Sequence, residues 1–364
     1  MRRRYLGLGL ACLALVAGSV GYVAVGARLY TQYHLAYANY QIAPTAPCGA
    51  LIAWSPPTTI YSAFYANSAS FLTIRYRSPT PQMLRITVGV PRFTQDQSIQ
   101  LAAAPAFQVA PFKPPLLGDA ALDAFIGPDQ AEGQIHLRVE SAAGTVCDTS
   151  APVVLKSRRW MHWFDGTSQD SAKFLAGWVT PHVPAIVTLI GRSAQWLRDH
   201  PWMYPGTTAL DGYGEGHATV QDVRNQVDVV YDTLQSVYHV HYAQDNVVYS
   251  GEQRIQLPQD ILSGAAPTGM CLETTAILAS AVEYLGMRPF FVIVPGHAFL
   301  GVALGVDSSA PVEYWETSDL NDGVVGAQAN VNGNSEFVGN SAQGQILQTV
   351  DVAFERGQGI GPME

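Results

Sequence analysis

The chain has little charge, and very little of it is positive. Charged residues make up 13% of the 364 residues, about half of the share that is usual in soluble domains. The only lysines are Lys113, Lys156 and Lys173, and the formal net charge is −9. A surface so poor in basic groups cannot neutralise the phosphate backbone of a nucleic acid, which argues against nucleic acid as a partner. The 48% of hydrophobic residues predicts a globular protein rather than a disordered one.

Cysteine is also scarce, with four in the chain. Cys12 lies in an apolar N-terminal run, and Cys271 lies at the start of a predicted helix. Cys48 and Cys147 remain, and we expect them to form a disulfide in an oxidising compartment. Two separate buried thiols are the alternative.

The N-terminus carries a clear targeting signal. Arginines at 2–4 precede residues 5–27, which contain no charged residue, and Arg28 ends the run. This length suffices for a helix across a hydrocarbon core of about 30 Å, and the leading arginines favour a cytoplasmic N-terminus. We predict a signal-anchor transmembrane helix over residues 1–28, and a single-pass protein of the cell membrane with its bulk outside the cytoplasm. The alternative is a signal peptide cleaved after the small residues at 24–27, which would give a secreted protein.

A short stem and a β domain are predicted next. The stem, residues 29–47, contains Pro44 and Pro47, which interrupt helical structure. Residues 48–156 contain segments of alternating apolar and polar side chains, a pattern typical of half-buried antiparallel strands. Their apolar members are Leu72, Ile74 and Tyr76, then Leu84, Ile86, Val88 and Val90, then Ile135, Leu137 and Val139. About a hundred residues of this kind predict an immunoglobulin-like β-sandwich.

Residues 157–182 form a crossover that is rich in aromatic side chains: Trp160, Trp163, Phe164, Phe174 and Trp178. We expect these rings to pack between two domains. Sugar binding by the tryptophans is the alternative.

The last part of the chain, residues 183–364, shows helical spacing and then strands. Apolar residues recur at helical intervals over 183–197 and 220–237, and strands are expected at 237–242 and 253–257. The mixture predicts an α+β domain.

Three other segments of this domain carry weaker signals. The glycine-rich loop at 206–216 lacks the strand-to-helix context of a dinucleotide site. His239 and His241 share one strand face, but no further ligand completes a metal set. We therefore predict no cofactor and no metal. Residues 321–345, rich in Asn, Gly, Gln and Ser, are predicted to form a mobile loop near the site.

Cys271 is the first candidate for chemistry. It opens a predicted helix that runs to about Leu285, where Gly286 is a suitable terminator. The partial positive charge at a helix N-terminus favours the thiolate, which is the reactive form of cysteine. A buried structural cysteine is the competing interpretation.

A histidine and a carboxylate follow Cys271 in the order that a triad requires. The apolar strand 290–294 leads through Pro295 and Gly296 into a second strand that begins at His297. A third strand ends near Glu316. Antiparallel pairing would bring Glu316 beside His297, where a carboxylate orients the imidazole and stabilises its charged form. Asp319 is the fallback for this third role.

An acyl-transfer site also needs donors for the developing oxyanion. The backbone N–H of Cys271 is one candidate. Gln253 is the predicted side-chain donor, and Gln256 is the second choice. Both glutamines also fit as ordinary exposed strand residues.

Taken together, these residues resemble the transglutaminase-like superfamily, a branch of the papain-like cysteine enzymes. The matching residues are Gly269 and Cys271, the Leu-Gly-x-Arg-Pro helix exit at 285–289, His297–Phe299, and Trp315–Thr317, where Glu316 replaces the family's aspartate. The resemblance covers about 220–360. It implies an α+β fold in which the cysteine helix packs on an antiparallel sheet. It also implies acyl transfer through a thioester, by a peptidase, amidase or transglutaminase.

The sequence thus leads to one functional hypothesis and two rivals. We expect an extracytoplasmic thiol enzyme that hydrolyses an amide or isopeptide bond in a protein or peptide, such as a cell-wall peptide. Hydrolysis is preferred over cross-linking because water is the default acceptor. The rivals are a non-catalytic binding or envelope-assembly module that retains the fold, and a sugar-binding protein.

Overall fold

The computed structural model describes residues 41–42, 51–65, 71–127, 129–163, 170–216, 218–243, 251–321 and 323–364. The predicted membrane helix, most of the stem, Cys48 and Phe164 lie outside these ranges. The anchor and the Cys48–Cys147 pair therefore stay predictions, and Cys147 itself is buried. Within the described ranges, no helix is both long and apolar enough to cross a membrane.

Strands dominate the first part of the chain, and helices and strands share the rest. The strands are β1 (Gln41–Ile42), β2 (Leu51–Trp54), β3 (Thr59–Tyr61), β4 (Leu72–Arg77), β5 (Gln82–Gly89), β6 (Gln97–Ala103), β7 (Gln108–Phe112), β8 (Gln130–Ser141), β9 (Gly144–Lys156), β10 (Trp160–His162), β11 (His241–Tyr242), β12 (Glu252–Arg254), β13 (Thr268–Gly269), β14 (Pro289–Val294), β15 (His297–Ala303), β16 (Val312–Trp315) and β17 (Gln348–Asp351). The helices are α1 (Ser62–Tyr65), α2 (Asp119–Ile126), α3 (Pro184–Asp199), α4 (Val220–Ser236), α5 (Pro258–Leu262), α6 (Cys271–Tyr284), α7 (Gly326–Ala342) and α8 (Val352–Gly357). The fold is α+β, as the sequence predicts.

The chain forms two compact units. The first holds the described residues before Leu155, except for two short segments within Ile60–Ser68 and Ile126–Ala131. Those segments belong to the second unit, which otherwise runs from Leu155 to Glu364.

Strands of the first unit form one sheet in the order β1-β2-β4-β7 and lie side by side in a second one in the order β9-β8-β5-β6. Alternating burial in β4 follows the sequence pattern, because Leu72, Ile74 and Tyr76 are buried while the residues between them are not. The prolines at 79 and 81 lie in the connection from β4 to β5, where the chain passes from one sheet to the other.

The second unit is built on a four-stranded antiparallel sheet in the order β16-β15-β14-β17. Helix α6 packs against β14 and β15, and helices α3 and α4 pack against α6. Because both strands and helices pack against α6, all of its residues from Cys271 to Val282 are buried. The last residue of the helix is Tyr284, close to the predicted end, and Leu285 is its C-cap. Gly286 follows with a φ of +75°, in the left-handed region that glycine tolerates.

The tight connection between β14 and β15 places the histidine. Val294 pairs with His297, so only Pro295 and Gly296 form the turn. Gly296 has a φ of +75°, which suits the third position of a type II turn with proline before it. The sequence therefore fixes His297 at the first position of β15.

The Asn- and Gly-rich segment after residue 321 is helix α7, so the prediction of a mobile loop there is wrong. The helix covers β16, the strand at one edge of the sheet. Asn330 Nδ2 donates to the Tyr314 carbonyl at 3.1 Å, and Asn334 Oδ1 accepts from the Tyr314 N–H at 3.3 Å. An edge strand otherwise leaves such backbone groups unpaired. A Cβ on Gly333 would lie 2.6 Å from the Tyr314 carbonyl oxygen, so only glycine permits this close approach.

One other prediction is corrected. The strand expected at 237–242 shrinks to β11, because the chain turns at His239, whose φ is +52°. The chain after β17 forms helix α8, and Ile360 and Met363, which follow that helix, are buried.

Candidate active site

Cys271 is the first residue of α6, as predicted, and a buried carboxylate holds this helix start in place. Glu273 accepts hydrogen bonds from the backbone N–H of Met270 at 2.9 Å and from that of Gln256 at 2.7 Å. Burial raises the pKa of Glu273, and its hydrogen bonds offset part of that rise. The carboxylate thus joins the segment after β12 to the N-terminus of α6.

The thiol of Cys271 is covered in this structure, with 0% of the residue exposed. It belongs to the apolar core of the second unit. Because the thiol is buried, an electrophile can reach it only when neighbouring side chains move. The backbone N–H of Cys271 is one of the first in the helix, and such groups have no partner within the helix.

His297 lies between the thiol and a carboxylate. Its Nε2 is 2.9 Å from both Oε1 and Oε2 of Glu316. Its side chain also hydrogen-bonds Cys271. Because Glu316 engages Nε2, Nδ1 is the ring nitrogen left for the thiol. The structure thus brings Cys271, His297 and Glu316 together in the order cysteine, histidine, carboxylate.

Glu316 follows the last residue of β16, and its own neighbours fix it. Its backbone N–H donates to the Ala329 carbonyl on α7 at 3.0 Å. Ser318 donates to Oε1 twice, from its N–H at 2.8 Å and from its hydroxyl at 2.7 Å. Asp319, the fallback for this role, instead accepts from Asn332 Nδ2 at 2.7 Å.

The electrostatics favour a charged pair. Burial alone would lower the pKa of His297, but hydrogen bonds to Cys271 and Glu316 raise it from 6.5 to about 10. Burial would raise the pKa of Glu316, but the hydrogen bonds from His297 and Ser318 bring it below its ordinary value. Imidazolium and carboxylate therefore coexist across neutral pH.

Of the two candidate oxyanion donors, Gln253 contacts Met270, the residue before the thiol. It lies in β12, and its Nε2 is 3.3 Å from the sulfur of Met270. Its Oε1 accepts from the indole N–H of Trp163 at 2.8 Å. Gln256 Nε2 instead donates to Glu273 Oε2 at 3.3 Å, so it supports the helix start.

A cavity of about 620 Å³ opens beside the histidine. It is lined by Tyr242, His297, Glu316, Ser318, Asp319, Asn321, Asn332 and Glu336. The lining is polar, and the charged groups in it other than the histidine are carboxylates. A substrate approaching His297 by this route meets hydrogen-bonding groups rather than an apolar surface.

Sequence reasoning missed Tyr242, which lines this cavity. Its backbone N–H donates to Asn321 Oδ1 at 2.7 Å, and its carbonyl accepts from Asn321 Nδ2 at 2.6 Å. It also pairs with Gly269, two residues before the thiol. Burial, with the nearby charges of Cys271 and Glu316, raises the pKa of Tyr242 to about 12, so its hydroxyl stays protonated as a donor. The pairing of β11 with β13 is parallel and distant in sequence, and no local pattern indicates it.

Among the described residues, no three His, Cys, Asp or Glu side chains lie close enough together to hold a metal ion. The site as described therefore consists of a thiol, an imidazole, a carboxylate and amide donors. No protein-family model matches this chain, and no curated protein shows significant similarity to it.

Proposed function

We propose that the protein is a thiol-dependent acyl-transfer enzyme that hydrolyses an amide or isopeptide bond through a thioester on Cys271. The observation that carries this proposal is the position of His297, whose Nε2 lies 2.9 Å from both oxygens of Glu316 while the same ring hydrogen-bonds Cys271. An imidazole held in this way has one nitrogen fixed by the carboxylate and the other directed to the nucleophile.

The first half of the reaction forms the thioester. The thiolate of Cys271 attacks the substrate carbonyl carbon, and the π electrons of the carbonyl move onto its oxygen. The N–H of Cys271 and the amide of Gln253 donate to that oxyanion. When the intermediate collapses, the C–N bond breaks, and His297 gives its proton to the departing amine.

The second half releases the acid. His297, now neutral, takes a proton from water as the water oxygen attacks the thioester carbon. The C–S bond then breaks, and the electrons return to the sulfur of Cys271. Glu316 stays ionised throughout and stabilises the imidazolium whenever it forms.

The transglutaminase-like fold belongs to the same proposal. Helix α6 begins at the cysteine and packs on β14 and β15, and the histidine and the carboxylate lie at the ends of neighbouring strands. This arrangement supports the resemblance. We extend the proposal to an immunoglobulin-like sandwich in the first unit and to an extracytoplasmic protein held by residues 1–28. A protein or peptide, such as a cell-wall peptide, is the proposed substrate.

The experiment compares the full chain with its Cys271→Ala variant on a library of N-acetylated peptides that contain isopeptide bonds and glutamine side chains. Mass spectrometry reads the released amines and new acids. The proposal expects product with the unaltered chain and none with Cys271→Ala. Equal product from both would reject it, and no product from either would favour the non-catalytic binding or envelope-assembly module.

Adding hydroxylamine to the same reaction tests for the thioester. Hydroxylamine attacks a thioester and gives a hydroxamate, so the proposal expects a hydroxamate only when Cys271 is present. Product that forms without any hydroxamate would point to direct attack by water.

A further inference from the structure

Trp163 directly follows β10, and Gln253 lies in β12, the strand that pairs with β10 in a small two-stranded sheet. Strand β10 pairs antiparallel with β12, so that Met161 lies opposite Gln253. The pairing continues one step further, because the Trp163 N–H donates to the Gly251 carbonyl at 2.9 Å. Backbone pairing therefore sets the distance between the indole of Trp163 and the amide of Gln253.

The bond between these two side chains determines which way the amide faces. The indole N–H of Trp163 donates to Gln253 Oε1 at 2.8 Å. An indole N–H is a donor only, so it requires the amide oxygen and excludes the amide nitrogen. Trp163 is 5% exposed, and reversing the amide would leave a buried N–H facing a second donor.

With the oxygen fixed, the amide nitrogen points the other way. Nε2 lies 3.3 Å from the sulfur of Met270, the residue directly before Cys271. A thioether is a weak acceptor. The N–H groups of Gln253 therefore face the side chain of Met270, which is only a weak acceptor, and a developing oxyanion would be the stronger acceptor.

We propose that Trp163 is a positioning residue, which holds the Gln253 amide with its N–H groups directed toward the carbonyl oxygen of a substrate at Cys271. This inference rests on the proposed function and adds a residue to its oxyanion site. Trp163 does not touch the substrate. Its contribution is to keep a neutral amide, which is otherwise free to rotate, in the one orientation that stabilises an oxyanion.

The chain offers a matched control for the loss of an indole N–H. Trp178 is as deeply buried, and its Nε1 donates to the Ile255 carbonyl at 3.3 Å, in the segment that carries Gln253. Trp178→Phe and Trp163→Phe each remove one buried indole bond to this segment. Only Trp163→Phe frees the Gln253 amide.

The test is steady-state kinetics on the best peptide of the library, with the folding of each variant checked by thermal denaturation. We expect Gln253→Ala to lower kcat by about 10²-fold, as for the loss of one oxyanion donor. We expect Trp163→Phe to lower kcat by roughly tenfold, with KM and the pH profile unchanged, because the amide is then oriented only part of the time. Trp178→Phe should leave kcat unchanged.

A double-mutant cycle separates positioning from general support. If Trp163 acts through Gln253, Trp163→Phe has no further effect on kcat in the Gln253→Ala background. An equal loss of kcat in both backgrounds would overturn the inference, as would an unchanged kcat in Trp163→Phe. These outcomes are distinct from failure of the proposed function, which would appear as full activity of Cys271→Ala.

A second variant covers the case in which Trp163→Phe does not fold. Benzothienylalanine, placed at position 163 by non-natural amino-acid incorporation, keeps the shape of the indole and replaces its N–H with sulfur. The same roughly tenfold loss of kcat is expected, because only the donor is removed. Full activity of this variant would overturn the inference.

Discussion

Nε2 of His297 lies 2.9 Å from both carboxylate oxygens of Glu316. His297 is the first residue of β15, and Glu316 directly follows the neighbouring strand β16. The ladder between these strands pairs Leu300 with Trp315 and ends there. Glu316 therefore meets His297 diagonally across the end of the sheet. The longer side chain of glutamate, compared with aspartate, spans this diagonal, and Ser318 holds its Oε1 from the other side.

Replacing Glu316 by glutamine should remove most of the activity and little of the fold. The amide keeps the size of the side chain, but it no longer stabilises the imidazolium, so we expect kcat/KM to fall by roughly 10²-fold. Glu313→Gln is the control, since Glu313 lies on β16 but pairs with Arg224. The values of kcat/KM for peptide hydrolysis by the two variants should differ by that factor. Equal losses of kcat/KM would mean that activity depends on negative charge near β16 rather than on the contact with His297.

Activity should persist far into the alkaline range. Because the pKa of His297 is raised to about 10, the imidazolium that protonates the leaving amine is lost only as the pH rises through that value. The measurement is kcat/KM from pH 6 to 11. In Glu316→Gln the alkaline limb should move to lower pH, because one of the two groups that raise this pKa is gone. A limb near 6.5 in the unaltered enzyme, the ordinary value for histidine, would show that the pair does not form.

The same pair should stabilise the fold within a defined pH window. His297 has a raised pKa, so its contribution is complete below 6.5 and is lost as the pH rises through about 10. Glu316 has a lowered pKa, so its contribution is present above 4.5 and is lost as the pH falls through the lowered value. The free energies of unfolding of the unaltered chain and Glu316→Gln, measured with denaturant, should therefore differ most between these limits, and the difference should shrink as the pH falls below 4.5.

Two glycines of α7 should respond to alanine in opposite ways. At Gly333 a Cβ would lie 2.6 Å from the Tyr314 backbone, so Gly333→Ala must move the helix away from β16, at a cost of about 1–3 kcal/mol. At Gly339 a Cβ has no neighbour within 4 Å, so Gly339→Ala should stabilise by roughly 0.5–1 kcal/mol through helix propensity. The free energy of unfolding of each variant checks this. Equal changes in the free energy of unfolding for the two variants would mean that α7 does not pack closely against β16.

Asp228 should make the protein less stable as the pH rises. Burial raises the pKa of this carboxyl from 3.8 to about 7, and the indole N–H of Trp315, which donates to its Oδ1 at 2.8 Å, offsets only part of the rise. A raised carboxyl pKa means that the folded state binds the proton more tightly than the unfolded state does. Stability is therefore lost as the pH rises from 3.8 to about 7.

Asp228→Asn tests this prediction, since asparagine can still accept from Trp315. The variant should be more stable than the unaltered chain at pH 8 by a few kcal/mol, at about 1.36 kcal/mol per pKa unit, and similar to it at pH 4. If the variant is less stable than the unaltered chain at both pH values, the folded state stabilises the ionised carboxylate of Asp228, and the prediction is wrong.

The sequence predicts those parts of the site that local rules govern. Local capping residues, glycine and proline determine the helix start at Cys271, the helix end before Gly286 and the tight turn before His297. The order of the strands and the pairing of β11 with β13 do not, because they depend on contacts between residues far apart in the chain.

Helix α7 shows why composition misleads here. Its asparagines and glycines have low helix propensity, so the sequence predicts a loop. In the structure those residues serve the edge of the sheet: Asn330 and Asn334 satisfy the backbone of Tyr314, and Gly333 allows the approach. Tertiary contacts thus outweigh a local preference that is worth less than 1 kcal/mol or so per residue.

The central claim is that His297 activates the thiol of Cys271, and it can be tested without knowing the substrate. The measurement is the rate at which iodoacetamide labels Cys271 at pH 6, followed by peptide mapping, in the unaltered chain and in His297→Ala. We predict labelling at least roughly tenfold faster in the unaltered chain, because an imidazole hydrogen-bonded to the sulfur activates it as a nucleophile. Equal rates in the two proteins would contradict it.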